Sequence, residues 1–249
     1  MPNYEMLNNI DHKNVKVITE RAARFGDDVH FVMTFPIEFR RVQACYPIFF
    51  QKDADTGRFF PLALFGFEEG ENLFLTEDGW DAEYVPLMIQ RHPFLIGYQQ
   101  DAEAPDGKRP VISIDMDNPR VSETEGEALF LPHGGTSEYL ASVTAVLEDI
   151  QVGHRMNTEF IDALLEYDLI ESVMMELELD DGSRRQLLGL HTINEEKLEA
   201  LDGEALGKLH DRRYLLPIYM VLASLSSFRA LINRVNAKRA SAPLVREQV

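Results

Sequence analysis

The hydrophobic period changes once along this chain, near Ser137, and nothing else in the sequence constrains the fold as tightly. Before that point the apolar residues alternate in short runs. Phe31, Met33 and Phe35 step past Val32 and Thr34, which predicts the start of a strand. Tyr46 to Phe50 predicts a buried strand, Asp53 to Gly57 a turn, and Phe59 to Phe67 the returning strand of a hairpin. Glu68 to Asn72 predicts a second turn and Leu73 to Leu75 a third strand, giving an aromatic-rich antiparallel meander. Pro36 suits the first turn of a short helix over Ile37 to Gln43. Pro86 to Ile96 predicts a helix that ends near His92-Pro93, because a residue before proline leaves the α region. Val111, Ser113, Asp115 and Asp117 alternate with Ile112, Ile114 and Met116, a strand with one apolar face. Residues 1–28 are polar and mixed, and read as a loosely packed lead-in with one short strand near Val15–Ile18.

After Ser137 the stripe becomes helical. Tyr139, Leu140, Val143, Val146, Leu147 and Ile150 share a face. Phe160, Ile161, Leu164 and Leu165 predict a second helix, with Asn157 or Thr158 as its cap. Two alternating runs, Val173–Leu179 and Leu187–Ile193, flank Asp181-Gly182, the strongest hairpin signal in the chain. Asn194 and Asp202 are placed to cap two short helices, and Pro217 opens the last one, whose exposed side carries Tyr219, Met220 and Phe228. From Ala240 onward the chain reads as frayed. Strands precede helices rather than alternating with them, so the expected fold is α+β. It has an aromatic-rich antiparallel sheet in the N-terminal half, and helices plus a β-hairpin in the C-terminal half. Residues 1–249 read as a single domain with room for two lobes, about 1–131 and 132–249.

Charge removes several function classes. Lys and Arg number 24 against 42 Asp and Glu, a net charge of −18. That balance leaves no large basic face for nucleic acid and repels anionic membranes. The N-terminus has neither the basic nor the apolar region of a signal peptide, and no apolar run approaches the ~18 residues of a membrane span. The expected compartment is the cytoplasm. A single cysteine, Cys45, excludes an internal disulfide framework and reads as a structural thiol.

Residue chemistry offers a few sites, each with a plainer explanation beside it. The seven histidines show no metal-ligand spacing, and no cofactor is expected. Asp115 and Asp117 fall on one strand face, where paired carboxylates hold a metal or share a proton, and where a merely solvated face looks the same. His133-Gly134-Gly135 lies between a strand and a helix, a junction whose backbone N–H groups can bind an anion. Asp53-x-Asp55-x-Gly57 has too short a spacing for a calcium loop and suits a hairpin turn. From Glu68 to Glu83 there are seven acids and no Lys or Arg. Trp80, the only tryptophan, sits there with Glu77, Asp78, Asp81 and Glu83; it is either folded back or an anchor for a basic partner.

Taken in order, several short motifs resemble one family. Phe35-Pro36, Tyr46-Pro47-Ile48-Phe49-Phe50 and Phe60-Pro61-Leu62-Ala63-Leu64-Phe65-Gly66 resemble the opening of the SapC family of bacterial proteins. Gly79-Trp80, Tyr84-Val85-Pro86 and Arg91-His92-Pro93-Phe94 continue it. Asp181-Gly182-Ser183-Arg184, Gly189-Leu190, Ile193, Leu209-His210, Tyr214-Leu215 and Ile218-Tyr219 are similar to its C-terminal signature. The resemblance spans about residues 4–235, and departs at Arg213, where the family pattern has glycine. It implies company with halogenase-like enzymes, cupin-like proteins and TonB-dependent receptors, and so a role in nutrient uptake or modification. It supplies no catalytic residues. Three functions follow as expectations. The first is a soluble accessory or binding protein that works with protein partners, with homo-oligomers open. The second is an enzyme assembled from Asp115, Asp117, His92 and His133, with metal dependence open. The third is a surface-layer structural protein.

Overall fold

The computed structural model describes residues 2–103, 107–180 and 182–241. The chain opens with β1 (Tyr4–Met6), β2 (Lys16–Val17) and β3 (Phe31–Met33), then the short α1 (Phe39–Val42), β4 (Ile48–Lys52) and β5 (Phe59–Leu64). A ribbon of β6 (Leu75–Thr76) and β7 (Gly79–Trp80) precedes α2 (Leu87–Gln90). β8 (Phe94–Gln100), β9 (Lys108–Asp115), β10 (Val121–Ser122) and β11 (Glu127–Ala128) follow. The rest comprises α3 (Glu138–Glu166), β12 (Ile170–Glu178), β13 (Arg184–Ile193), α4 (Glu195–Glu199), α5 (Gly203–Asp211), α6 (Leu215–Ser224) and α7 (Ser226–Ser241). The fold is α+β, as expected.

The largest sheet is antiparallel throughout, in the order β12-β13-β4-β5-β3. The hairpin between β4 and β5 turns on Gly57 at φ +68, with the Thr56 amide donating to Asp53 Oδ1 at 2.7 Å. The Asp53–Gly57 segment is therefore the turn its composition predicts. The meander does not continue to Leu73–Leu75. The Glu71 carboxylate accepts from the Phe67 amide at 2.9 Å, and Asn72 holds the Phe74 amide and the Asp27 carbonyl. These bonds turn the chain out of the sheet, and among the described strands β6 pairs only with β7. The place beside β4 is taken by β13 instead, with His191 opposite Phe50. The sheet thus takes three strands from before residue 131 and two from after it. In the β12–β13 turn, Asp181 lies outside the described residues; Gly182 sits at φ +79 and its amide donates to Leu179 O at 2.8 Å.

One 29-residue helix replaces the two predicted between Ser137 and Leu165. It is about 43 Å long at 1.5 Å per residue, and Ser137 caps it through the Leu140 amide. Asn157, expected as a cap, is a packing residue, and so is Gly153. A Cβ on Gly153 would lie 2.5 Å from Phe35 Cγ, so only glycine lets that ring approach. Asn157 is buried and donates from Nδ2 to Thr34 O at 3.1 Å. α3 therefore runs as a spine along three apolar clusters. Leu140, Val143 and Leu147 join Val15, Val17, Phe94, Ile114 and Leu129. Ile150 joins Phe35 and Leu87. Phe160, Ile161 and Leu164 enter the main core with Phe39, Phe49, Phe50 and Phe65.

Four further expectations change. The N-terminal segment is not loosely packed: Val17 and Asp27 are fully buried, β1 pairs with β9, and β2 lies between β10 and β11. The helix predicted over Pro86–Ile96 stops at Gln90, because the chain passes through a cis His92–Pro93 bond straight into β8. Phe228 is not on an exposed face; it packs edge-on against Phe49 and Phe67, while Tyr219 is exposed. The run Leu215–Ala240 is long and apolar enough to cross a bilayer by length and composition, although no unbroken apolar run of that length occurs. Here Ile218, Val221, Leu231 and Val235 are buried in the main core, with Leu216 exposed. Asn194 and Asp202 do cap α4 and α5. Arg213 adopts φ +62, so the position does need the left-handed conformation that glycine tolerates best.

Candidate functional site

A cleft of about 1020 Å³ opens between the β8–β9 hairpin, the His92–Pro93 corner and the middle of α3. Each wall follows from local sequence. On β8, Phe94 is buried in the core, while Leu95, Ile96 and Tyr98 reach the cleft. Helical spacing brings Leu147, Ile150, Gln151 and His154 to the same wall of α3. Four cations line the space: Arg91, Lys108, Arg109 and Arg155. Asp115 is the one carboxylate among the described residues that line it.

The positive charge continues behind the wall. Asp27 is fully buried, and its carboxylate is bonded by the equally buried Arg120 and by Arg21 Nη1 at 3.4 Å. Arg120 Nη1 also donates to the carbonyls of Ile18 at 2.9 Å and Glu20 at 2.6 Å, and Arg21 Nη1 to that of Ile89 at 3.1 Å. Two guanidinium groups thus share one carboxylate. Burial drives the His92 imidazole down to about 4, with Arg91, Arg120 and Arg21 adding to the effect, so it is neutral at pH 7. Arg91 Nη1 donates to Phe94 O at 2.9 Å, and its Nε is buried without a partner.

Of the four residues expected to build an enzyme site, His92 and Asp115 both line this cleft. Asp117 does not, which corrects its placement on the strand face with Asp115. β9 ends at Asp115, and the chain turns there, with the Asp117 amide donating to Asp115 Oδ1 at 3.3 Å. Asn3 N donates to the same oxygen at 3.1 Å. His133 is exposed on a separate turn. The Gly134 amide there donates to Leu131 O at 2.9 Å and the Leu131 amide to Gly135 O at 2.7 Å, so both are already engaged. Among the described residues no three His, Cys, Asp or Glu side chains gather as a metal site.

The acidic segment has a different geometry. Trp80 is folded back: its Nε1 donates to the Tyr46 hydroxyl at 2.7 Å, and its ring stands edge-on to Phe65 at 5.3 Å. The Tyr46 hydroxyl in turn donates to Tyr84 O, and burial pushes its pKa well above the ordinary value. Around this anchor Glu77, Asp78 and Glu83 are exposed, while Asp81 is paired with Arg234 at 2.7 Å. Cys45 is free and half-buried, and lines a hollow beside Trp80, Asp81 and Arg234.

Sequence reasoning missed the four cleft cations and the Arg21–Asp27–Arg120 group. Lys108-Arg109 is an adjacent basic pair, but so are Arg40-Arg41 and Arg212-Arg213, and no spacing brings Arg91 and Arg155 to it. A buried carboxylate, Glu38, was missed too. It accepts from Thr34 Oγ1 at 2.8 Å, the Tyr84 hydroxyl at 2.7 Å and the Leu87 amide at 3.0 Å, joining α1 to α2, and burial raises its pKa.

The SapC family model matches residues 7–231 of the chain. No curated protein and no solved structure matches it.

Proposed function

The chain belongs to the SapC family, and we propose that it is a binding protein, holding an organic anion in the cleft between β8–β9 and α3 for a partner engaged in nutrient uptake or modification. The observation that carries this reading is the local reversal of charge. A protein of net charge −18 gathers Arg91, Lys108, Arg109 and Arg155 around one cleft against a single described carboxylate. Repulsion from the distant acidic surface is screened over about 8–10 Å at ordinary ionic strength, so the local cations dominate inside. The apolar wall of Leu95, Ile96, Leu147 and Ile150 suits a ligand with an apolar body beside its charge. A halogenase-like enzyme or a TonB-type receptor is the partner class that the family resemblance suggests, and the exposed Glu77, Asp78 and Glu83 offer it an acidic docking surface.

The test uses 8-anilinonaphthalene-1-sulfonate, an apolar sulfonate whose fluorescence reports its surroundings. We expect saturable binding of one equivalent, weakened at least ten-fold by Arg155→Glu with unchanged circular dichroism. Binding that ignores that substitution would remove the cleft from consideration. One observation favours a second reading, an enzyme: His92 and Asp115 face the same cleft. It requires a metal or substrate that depends on both. One equivalent of zinc or iron in the purified protein, lost in His92→Asn, would support it.

A further inference from the structure

His154 borders two spaces. Beside the cleft, a second hollow of about 460 Å³ lies further along α3. The helix residues that line the pair run from Leu147 through Ile150, His154, Thr158 and Ile161 to Leu165. These positions recur at three and four residues, so they form one stripe on one face of α3. At 1.5 Å per residue the stripe is about 27 Å long.

Three observations say what fits such a track. First, its charges are spread out. Arg91, Lys108, Arg109 and Arg155 stand at the first space, and Lys52 and Arg58 at the second, where Asp162 is the one described carboxylate. A ligand with a single acidic head would answer only one end. Second, β8 is an edge strand: among the described strands it pairs only with β9, and its Leu95, Ile96 and Tyr98 line the first space. An edge strand offers backbone N–H and C=O groups to an extended chain. Third, Asn157 lines the second hollow, is 7 % exposed, and its Oδ1 is buried without a hydrogen-bond partner. Nδ2 is already used on Thr34 O, so what the residue lacks is a donor, such as a peptide N–H.

Building on the binding reading above, we infer that the ligand is an acidic, extended peptide segment of a partner protein, lying along α3 from the β8 edge past His154 to Asn157. At ~3.3 Å per residue the track holds about eight residues. Acidic side chains meet the cations at each end, and apolar side chains on alternate positions meet Ile150 and Ile161. The acidic remainder of the surface then repels the same peptide everywhere else, which confines it to the track.

The test is selection of a random ten-residue phage-displayed library on the immobilised full chain, followed by fluorescence polarisation of the enriched peptides. We expect enriched sequences with acidic residues at both ends and apolar ones between. We expect Arg155→Glu and Arg58→Glu each to weaken binding at least five-fold; both side chains are exposed, so the fold survives the change. Trimming a peptide to five residues is expected to abolish its dependence on one of the two arginines. Absence of enrichment, enrichment without acidic residues, or indifference to Arg58→Glu overturns the inference. Hexadecanoate that binds and depends on Arg155 alone also overturns it, in favour of a lipid-like anion. If the sulfonate probe still binds in these cases, the binding reading stands and only the peptide is lost. If the sulfonate also fails, the reading itself is lost.

Discussion

The main sheet and the smaller N-terminal region solve the same problem with different materials. Around the sheet, Phe39, Phe49, Phe50, Phe65 and Phe160 are fully buried; Phe39 stands edge-on to Phe160, Phe49 to Phe228 and Phe65 to Phe74, and Phe50 packs tilted against Phe160. Each such ring is stabilised by roughly 2–3 kcal/mol of burial, and no ion pair is needed. The smaller region has only eight buried apolar residues in its cluster. It is fixed by Asp27, whose carboxylate takes Arg120, Arg21 and the Ala22 amide while its carbonyl takes Asn72. Where apolar area is abundant, packing defines the structure. Where it is scarce, a buried charge with directed bonds defines which loop sits where, at some cost in stability. The cleft lies beside the second kind of region, and inherits its unbalanced positive charge.

The largest expected effect breaks the second solution. Asp27→Ala leaves Arg120 buried without its anion and is expected to cost about 3–5 kcal/mol. Hydrogen exchange should accelerate first at β2, β10 and β11, with β4 and β5 protected longer. Asp27→Leu with Arg120→Met should recover much of the loss; a pair variant as unstable as the single one would refute the account.

A smaller effect separates two titrating groups of opposite sign. His92 titrates near 4 when folded against 6.5 ordinarily, so the unfolded chain binds its proton first. Its contribution is full above pH 6.5 and is lost as pH falls toward 4. Glu38 is raised above 4.5, so the folded chain holds its proton longer. Its contribution is full below 4.5 and is lost as pH rises through its folded value. His92→Gln should flatten the acid-side loss. Glu38→Gln should flatten the opposite slope and hold its bonds, with its oxygen on the Leu87 amide and its amide on Thr34. Denaturant titrations from pH 4 to 8 read both; identical slopes in all three proteins would dismiss the assignment.

The smallest effect lies in the well-packed half. Arg213 at φ +62 bears a penalty of about 1 kcal/mol, so Arg213→Gly should raise the melting temperature by about 2–4 °C in calorimetry. A lower melting temperature would mean that the side chain, not the backbone, decides that turn.

Legibility in the sequence followed the range of the forces. Turn and cap chemistry acts within a few residues, so Asp53–Gly57, Asn194 and Asp202 were read correctly. Asn157 reads as a cap by the same local rules, yet Thr34, more than a hundred residues away, decides what it does, and the contact of Gly153 with the equally distant Phe35 leaves no local signal. The neighbour of β4 was unreadable for the same reason. At the site, residue type alone singled out His92 and Asp115. The cations were missed because they come from α3, the β8–β9 hairpin and the end of α2, and only the fold brings them together.

The pairing of β13 with β4 also sets a schedule for synthesis. Leu190 pairs with Gln51 from roughly 140 residues further along, a wait of about 7–30 s at ~5–20 residues per second on the ribosome. Through that interval the Ile48-Phe49-Phe50 segment is made but has an unpaired flank, the kind of apolar edge on which nascent chains aggregate. Yield in the cell should therefore depend on translation speed and on chaperones that cover this strand until the late hairpin emerges.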